Sequence, residues 1–267
     1  MLLPNQVEDE TSNIYDIDFF ADHLKHREAF NELGRTVFNL LYDGSRISNV
    51  DIGCGHGLFV EALRQAGLYS SFGLEGSSSA VALWPTSQKH NYWIAELRDE
   101  STIDLIPPTE MVTSFETAEH LPEEYADQLV KFMVCHNPKL IIFGAATWLQ
   151  DQGRNITHYN EMPYHYWIKK FKNHGYKLDI LTTVSLRNTL FKSGLFGQTW
   201  WYPKNILLFY PQDIAETEMI YKTSDISILD QGLIWFEIQD TDDMFSLMLL
   251  RDYCEYKLLA MEYLYAG

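Results

Sequence analysis

At 267 residues, 46% of them hydrophobic, the chain is long enough for one large α/β domain with or without an appendage, and too apolar for general disorder. Its net charge of −17 disfavours an indiscriminate grip on phosphate backbones, which needs Lys and Arg to release counterions. Its three cysteines, Cys54, Cys135 and Cys254, are scattered and odd in number, which gives no disulfide framework or metal spacing and makes a reducing cytoplasm the default. Met1 to Gln6 carries neither a charged nor an apolar leader segment, so no signal peptide is expected. The most apolar late stretch, residues 244–266, contains Arg251, Asp252, Glu255, Lys257 and Glu262, too many charges for a membrane span.

Residues 1–14 are polar and read as a loose arm. Tyr15 to Tyr42 reads as one helix, with Phe19, Phe20, Leu24, Phe30, Leu33, Val37, Phe38 and Leu41 at helical spacing. His23 and His26 lie on it and are expected at the surface or against a partner. After the turn Asp43-Gly44-Ser45 comes a buried strand that runs into Val50-Asp51-Ile52-Gly53-Cys54-Gly55-His56-Gly57 and opens a helix at Leu58. Three glycines at alternate positions let the backbone approach a ligand closely, and the first N–H groups of the following helix point at it. Phe72-Gly73-Leu74-Glu75-Gly76 reads as a second strand ending in an acid, 24 positions after Asp51. That lies close to the roughly 20-residue interval at which a βαβ unit brings a carboxylate to a ribose diol.

A third strand is expected near Asn91 to Leu97, and a fourth from Met111 into a polar loop holding Glu116, Glu119 and His120. Pro122 then starts a helix to about His136. Lys139 to Gly144 gives the fifth strand, and residues 152–160 a loop that includes His158. A helix from Tyr164 precedes a final strand pair, Lys177 to Val184 and Asn205 to Phe209, joined through Leu186-Arg187 and Trp200-Trp201-Tyr202. Residues 212–267 hold twelve acids against three bases, a net −9 in 56 residues. Gly232 to Ile238 is expected as a strand and Met244 to Ala266 as a helix.

The dinucleotide fingerprint G-x-G-x-x-G does not fit, because Leu58 stands where its third glycine belongs. The pattern D-x-G-x-G-x-G, with Asp51 at the strand end, instead resembles motif I of the class I S-adenosylmethionine methyltransferases. The stretch from Ser114 to Glu124 resembles a subgroup of that family common in bacterial and bacteriophage genomes, and the resemblance covers roughly residues 15 to 210. It implies an α/β fold: a Rossmann-like seven-stranded, mostly parallel sheet with helices on both faces and an antiparallel last strand pair, here with an acidic C-terminal appendage. The implied division is an N-terminal arm and helix (1–47), a cofactor-binding domain (48–211) and the acidic extension (212–267).

The resemblance also implies S-adenosylmethionine as cofactor. Asp51, Gly53, Cys54, Gly55 and Gly57 form its turn, with Glu75 and Gly76 at the ribose. Glu96 and Leu97 lie at adenine, with Glu in place of the more usual Asp, and Glu116 lies at the strand-four exit. His120 and His158 are candidate bases and Glu119 an orienter or alternative, since imidazole titrates near neutrality. The loop after strand five departs from the subgroup: Trp148, Leu149 and Asp151 replace expected glycines, which leaves specificity open. No metal is expected, because no H-E-x-x-H or clustered ligand spacing occurs. The expected reaction is methyl transfer to an oxygen or nitrogen of a small molecule or sugar, with Trp148, Tyr159, Trp200, Trp201 and Tyr202 suited to stacking on rings. The alternatives are a structural or regulatory subunit that holds a protein partner, or a second copy, through 212–267, and an enzyme acting on RNA or protein.

Overall fold

The computed structural model describes residues 15–265 apart from 85, 153, 226 and 229–243. In chain order its elements are α1 (Ile17–His23), α2 (Arg27–Leu40), β1 (Ser48–Ile52), α3 (Leu58–Ala66), β2 (Ser70–Glu75), α4 (Ser78–Ala82), β3 (Tyr92–Ile94) and β4 (Met111–Phe115). There follow α5 (Ala126–Val134), β5 (Leu140–Gly144), α6 (Tyr164–Asn173), β6 (Tyr176–Leu178), α7 (Ile180–Lys192), α8 (Trp201–Asn205), β7 (Leu207–Pro211) and α9 (Met244–Tyr265). The strands form one sheet of order β3-β2-β1-β4-β5-β7-β6, parallel except that β7 runs against both β5 and β6. This is the expected Rossmann-like class.

Side-chain alternation along a strand separates the core into two layers. On β5, Ile141 and Phe143 face a layer with Trp167, Phe171 and Phe209, while Leu140 and Ile142 face one with Leu33, Val37, Leu58 and Leu63. The second layer depends on close helix contact: a Cβ on Gly34 of α2 would sit 2.7 Å from the Ala62 Cβ of α3.

Three expectations need correction. The helix from Tyr15 to Tyr42 is two, α1 and α2, separated by a tight turn at Leu24–His26. The bend lets α1 bring Phe20 to His56 beside the glycine turn, ring centroids 5.9 Å apart, while α2 lies along α3. The helix expected from Pro122 begins as a tight turn, Glu123–Tyr125, and is α-helical over Ala126–Val134. Most of the strand expected at Lys177 to Val184 is helix: β6 ends at Leu178, and Asp179 caps α7 by accepting from the Thr182 N–H at 2.9 Å. The β-branched run Thr182-Thr183-Val184 is helical because its hydroxyls serve neighbours, Thr183 Oγ1 accepting from Leu208 N–H at 3.0 Å and Thr182 Oγ1 from Ser224 N–H at 3.0 Å. Tertiary hydrogen bonds here override a strand propensity.

Helix α9 is docked on the sheet domain. Asp252 on α9 and Lys204 on α8 are both fully buried and 2.8 Å apart, with Thr147 beside them. The Arg187 guanidinium of α7 lies 3.9 Å from the ring centre of Tyr256 and 4.9 Å from that of Tyr164. The strand expected at Gly232 to Ile238 lies outside the described residues, as does the 1–14 arm. Among the described residues no helix is long and apolar enough to cross a membrane.

Candidate active site

The strand order reverses between β1 and β4, and a crevice opens at the carboxyl ends of the strands there, where open α/β sheets hold ligands. A cavity of about 860 Å³ occupies it. Register fixes its floor: Asp51 on β1 lies opposite Thr113 on β4, and the Thr113 hydroxyl donates to Asp51 Oδ1 at 2.7 Å. Asp51 is 3% exposed. Burial pushes its carboxyl up to about 7, the Thr113 hydrogen bond opposes this, and the nearby Glu75 charge adds to it.

The glycine turn wraps over Asp51. Gly53 has φ 75°, and a Cβ there would overlap the Thr117 side chain from the β4 exit. Glu75 at the end of β2 anchors the turn: its Oε2 accepts from Gly55 N–H at 2.7 Å, and its Oε1 from the N–H groups of Gly76 and Ser77, each at 2.8 Å. Burial raises Glu75 above its ordinary range despite these three donors. Helix α3 starts at Gly57 with no side-chain cap, which leaves its first N–H groups to a ligand. One end of the cavity thus holds two carboxyls destabilised as anions together with free backbone donors. That donor set suits a group with a cationic amine and a hydroxylated ring.

The opposite end is built by the β4 exit and the 147–161 loop. Glu116 sits at φ 50°, an uncommon conformation for a side chain larger than Gly, and both its oxygens are taken: Gln150 and Asn205 each donate to it at 2.7 Å. Glu119 is 1% exposed, and its Oε2 has no hydrogen-bond partner among the described residues. Burial and the Glu116 charge push its carboxyl well up. His120 Nδ1 faces the Thr157 carbonyl oxygen at 3.2 Å, and burial followed by the His158 charge lowers the ring to about 3. An imidazole held there has little proton affinity at neutral pH. His158 stands edge-on to His120, centroids 4.8 Å apart, and its Nδ1 is 2.7 Å from Glu161 Oε1. The sequence shows no metal-ligand spacing, yet the donor atoms of Glu119, His120 and His158 lie within 4.8 Å of one another.

Asp51, Gly53, Cys54, Gly55, Glu75, Gly76, Glu96, Leu97, Glu116, Glu119, His120 and His158 all line the cavity. Gly57 does not. It packs under Tyr92, whose hydroxyl would lie 2.6 Å from a Cβ there, and its φ of 85° is left-handed, so both packing and backbone call for glycine. Glu96 is exposed and engaged by Arg98, whose Nε and Nη2 donate to it at 2.9 Å and 2.6 Å, and this pairing holds its carboxyl below the usual range. The buried Cys54 thiol is pushed far up by burial and is not a reactive group.

Several residues in or behind the cavity wall carry no signal in the sequence. The Trp84 indole donates to the Gly55 carbonyl at 2.9 Å and fixes the outer edge of the turn. The Tyr15 hydroxyl accepts from Asn155 Nδ2 at 2.6 Å, and its ring lies 4.9 Å from that of His120, so the start of the described chain roofs the far end. His23, expected at the surface, lines the cavity beside Phe19 and Phe20. None of these carries a local motif; each is defined by contacts across 29 or more positions or by the bend before α2.

Residues 23–181 match a family described as a methyltransferase domain. No curated protein sequence matches the chain. Among solved structures, it is similar to a SAM-dependent methyltransferase from Archaeoglobus fulgidus (16% identity, 72% of this chain and 98% of that one, TM-score 0.51). It is also similar to a chain of the complex between the Trm112 methyltransferase activator and a methyltransferase from Haloferax volcanii (12% identity, 74% and 96%, TM-score 0.50). A third similarity is to magnesium protoporphyrin IX methyltransferase from Synechocystis PCC 6803 with bound SAH (18% identity, TM-score 0.41), where 49% of this chain spans 65% of that one. At these identities the likeness concerns the fold.

Proposed function

The chain belongs to the S-adenosylmethionine-dependent methyltransferases, the methyltransferase-domain family covering more than half of it, and from that premise we propose that it methylates an oxygen or nitrogen of a small molecule or sugar. The observation that carries this reading is a single cavity with two unlike ends, one acidic and rich in backbone donors, the other walled by aromatic side chains around Glu119, His120 and His158.

The acidic end fits the cofactor. Asp51 is held near 7 by burial and gains most from a cationic amine beside it, and Glu75 keeps acceptor capacity for ribose hydroxyls after its three backbone bonds. Gly53, Cys54, Gly55 and Gly76 supply the close backbone, Glu96 and Leu97 the adenine edge. Glu116 acts from behind, through Gln150 and Asn205. When bound, S-adenosylmethionine supplies an electrophilic methyl group for in-line displacement.

The protein's own contribution is alignment and water exclusion. Tyr15, Phe19, Phe20, Trp200, Trp201 and Tyr202 surround the acceptor end and can stack on a sugar or planar ring. Glu119, His120 and His158 face the acceptor, and burial strips His120 of proton affinity, which disfavours it as the base. Arg98 is the one Lys or Arg among the described lining residues, and it is committed to Glu96, which argues against a phosphate-rich polymer in the cavity. The buried Lys204–Asp252 pair supports reading α9 as part of the enzyme's body rather than as a free arm for a partner.

The test is transfer of labelled methyl from S-adenosylmethionine to sugars, phenols and amines, with RNA and protein in parallel. The reading expects label on a small acceptor; label on RNA or protein alone would overturn it.

A further inference from the structure

Glu119, His120 and His158 have the chemistry of a metal site. The three donor atoms converge within 4.8 Å, and all three residues line the cavity. Each histidine is oriented through its second nitrogen, the arrangement by which proteins set a ligating imidazole. His120 Nδ1 faces a carbonyl oxygen, that of Thr157, so a neutral ring carries its proton there and leaves the Nε2 lone pair open. His158 Nδ1 does the same towards Glu161 Oε1 at 2.7 Å. The third member supplies an independent sign: Glu119 is 1% exposed, and its Oε2 is without a hydrogen-bond partner among the described residues. A buried carboxyl oxygen without a partner is costly, and a cation is the partner its neighbours are arranged to share.

We propose that Glu119, His120 and His158 bind one divalent transition cation at the acceptor end of the cavity. Two imidazoles and one carboxylate favour zinc, manganese, cobalt or iron over the harder magnesium and calcium. Three protein ligands leave coordination positions open, and these face the acceptor. An ion there selects acceptors with an oxygen donor at or beside the methylated atom. That consequence rests on the methyltransferase reading above; the ion's binding does not.

A second group, Asp151, His158 and Glu161, also lies within ligand reach. Its oxygens are already occupied: Glu161 Oε2 accepts from Leu149 N–H at 2.6 Å and Oε1 meets His158, while Asp151 accepts from the Asn155 N–H. We therefore assign Glu161 to orienting His158, not to the ion.

The experiment is titration of Co²⁺ into the chelator-stripped full chain, followed by visible absorption and calorimetry, with folding checked by circular dichroism. Wild type is expected to bind one equivalent. Glu119→Gln and His158→Gln should each lose at least 100-fold in affinity, and Glu161→Gln about 10-fold, the lower end for a supporting residue. His165→Gln, on an exposed histidine of α6, should bind like wild type. Absent Co²⁺ binding by folded wild type, or binding that survives both Glu119→Gln and His158→Gln, overturns the site. Binding abolished by Asp151→Asn but untouched by Glu119→Gln overturns the assigned ligand set. S-adenosylmethionine titrated into the same samples separates the two readings. Cofactor binding without cobalt binding removes the ion site alone, whereas Glu119-dependent cobalt binding without cofactor binding supports the site and removes the reading it serves.

Discussion

Replacing Asp51 with Asn isolates the electrostatic load that the fold carries at its floor. Asp51 is buried at the end of β1, and its carboxyl, ordinarily at 3.8, is pushed up to about 7 by burial. Such a group adds to stability below its unfolded value, and that contribution is lost as pH rises through the folded value, so the native state pays for an ionised Asp51 at pH 8. At about 1.4 kcal/mol per pH unit, the gap between 3.8 and 7 amounts to about 4 kcal/mol at pH 8 and about 2 kcal/mol at pH 5. Asparagine keeps an oxygen to accept from Thr113 and has no charge to hold. Urea unfolding of wild type and Asp51→Asn from pH 5 to 8.5 should therefore diverge, the variant gaining on wild type by about 2–3 kcal/mol across the range. The buried histidines His56 and His120, lowered to about 4 and about 3, titrate in both proteins and cancel in the difference. Parallel stability curves would refute the reasoning, because they would mean that Asp51 is ionised in the folded protein at pH 5 and that its site is already compensated.

Two further outcomes follow from the packing. Asp252→Asn leaves Lys204 charged and fully buried, which should cost about 3–5 kcal/mol and lower the melting temperature by roughly 10 °C; an unchanged melting temperature would undock α9 from this account. Gly53→Ala places a Cβ at φ 75° against Thr117, and the left-handed backbone alone should cost about 1–2 kcal/mol, read by urea unfolding, with cofactor binding lost; a variant as stable as wild type would show that the turn relaxes freely.

The glycine turn was the most legible part of the chain. Asp51, Gly53, Gly55 and Glu75 announce themselves because a tight strand-to-helix turn allows few residues and because the βαβ interval fixes where the second acid falls. The sheet followed from hydrophobic runs at regular intervals, except at Thr182-Thr183-Val184. Local propensity there points to strand, while Asp179 and hydrogen bonds to Leu208 and Ser224 decide for helix. Gly57 belongs to the same turn, at φ 85° where the following helix opens, but the close packing of Tyr92 against it carries no sequence signal. His120 was readable as a polar residue on a functional loop, but not as an imidazole of low basicity, because that property comes from burial against a residue 38 positions away. The same distance hid the convergence of Glu119, His120 and His158, which no linear spacing rule describes. The Lys204–Asp252 pair was invisible for a similar reason: the acidic count of residues 212–267 cannot say which carboxylate folds inward.

The most direct measurement is calorimetric titration of S-adenosylmethionine into the full chain, alongside Asp51→Ala and Glu75→Ala, each shown to be folded. Wild type is expected to bind in the micromolar range, and both variants to lose that binding. Folded wild type that binds no cofactor would contradict this, as would variants that bind as tightly as wild type.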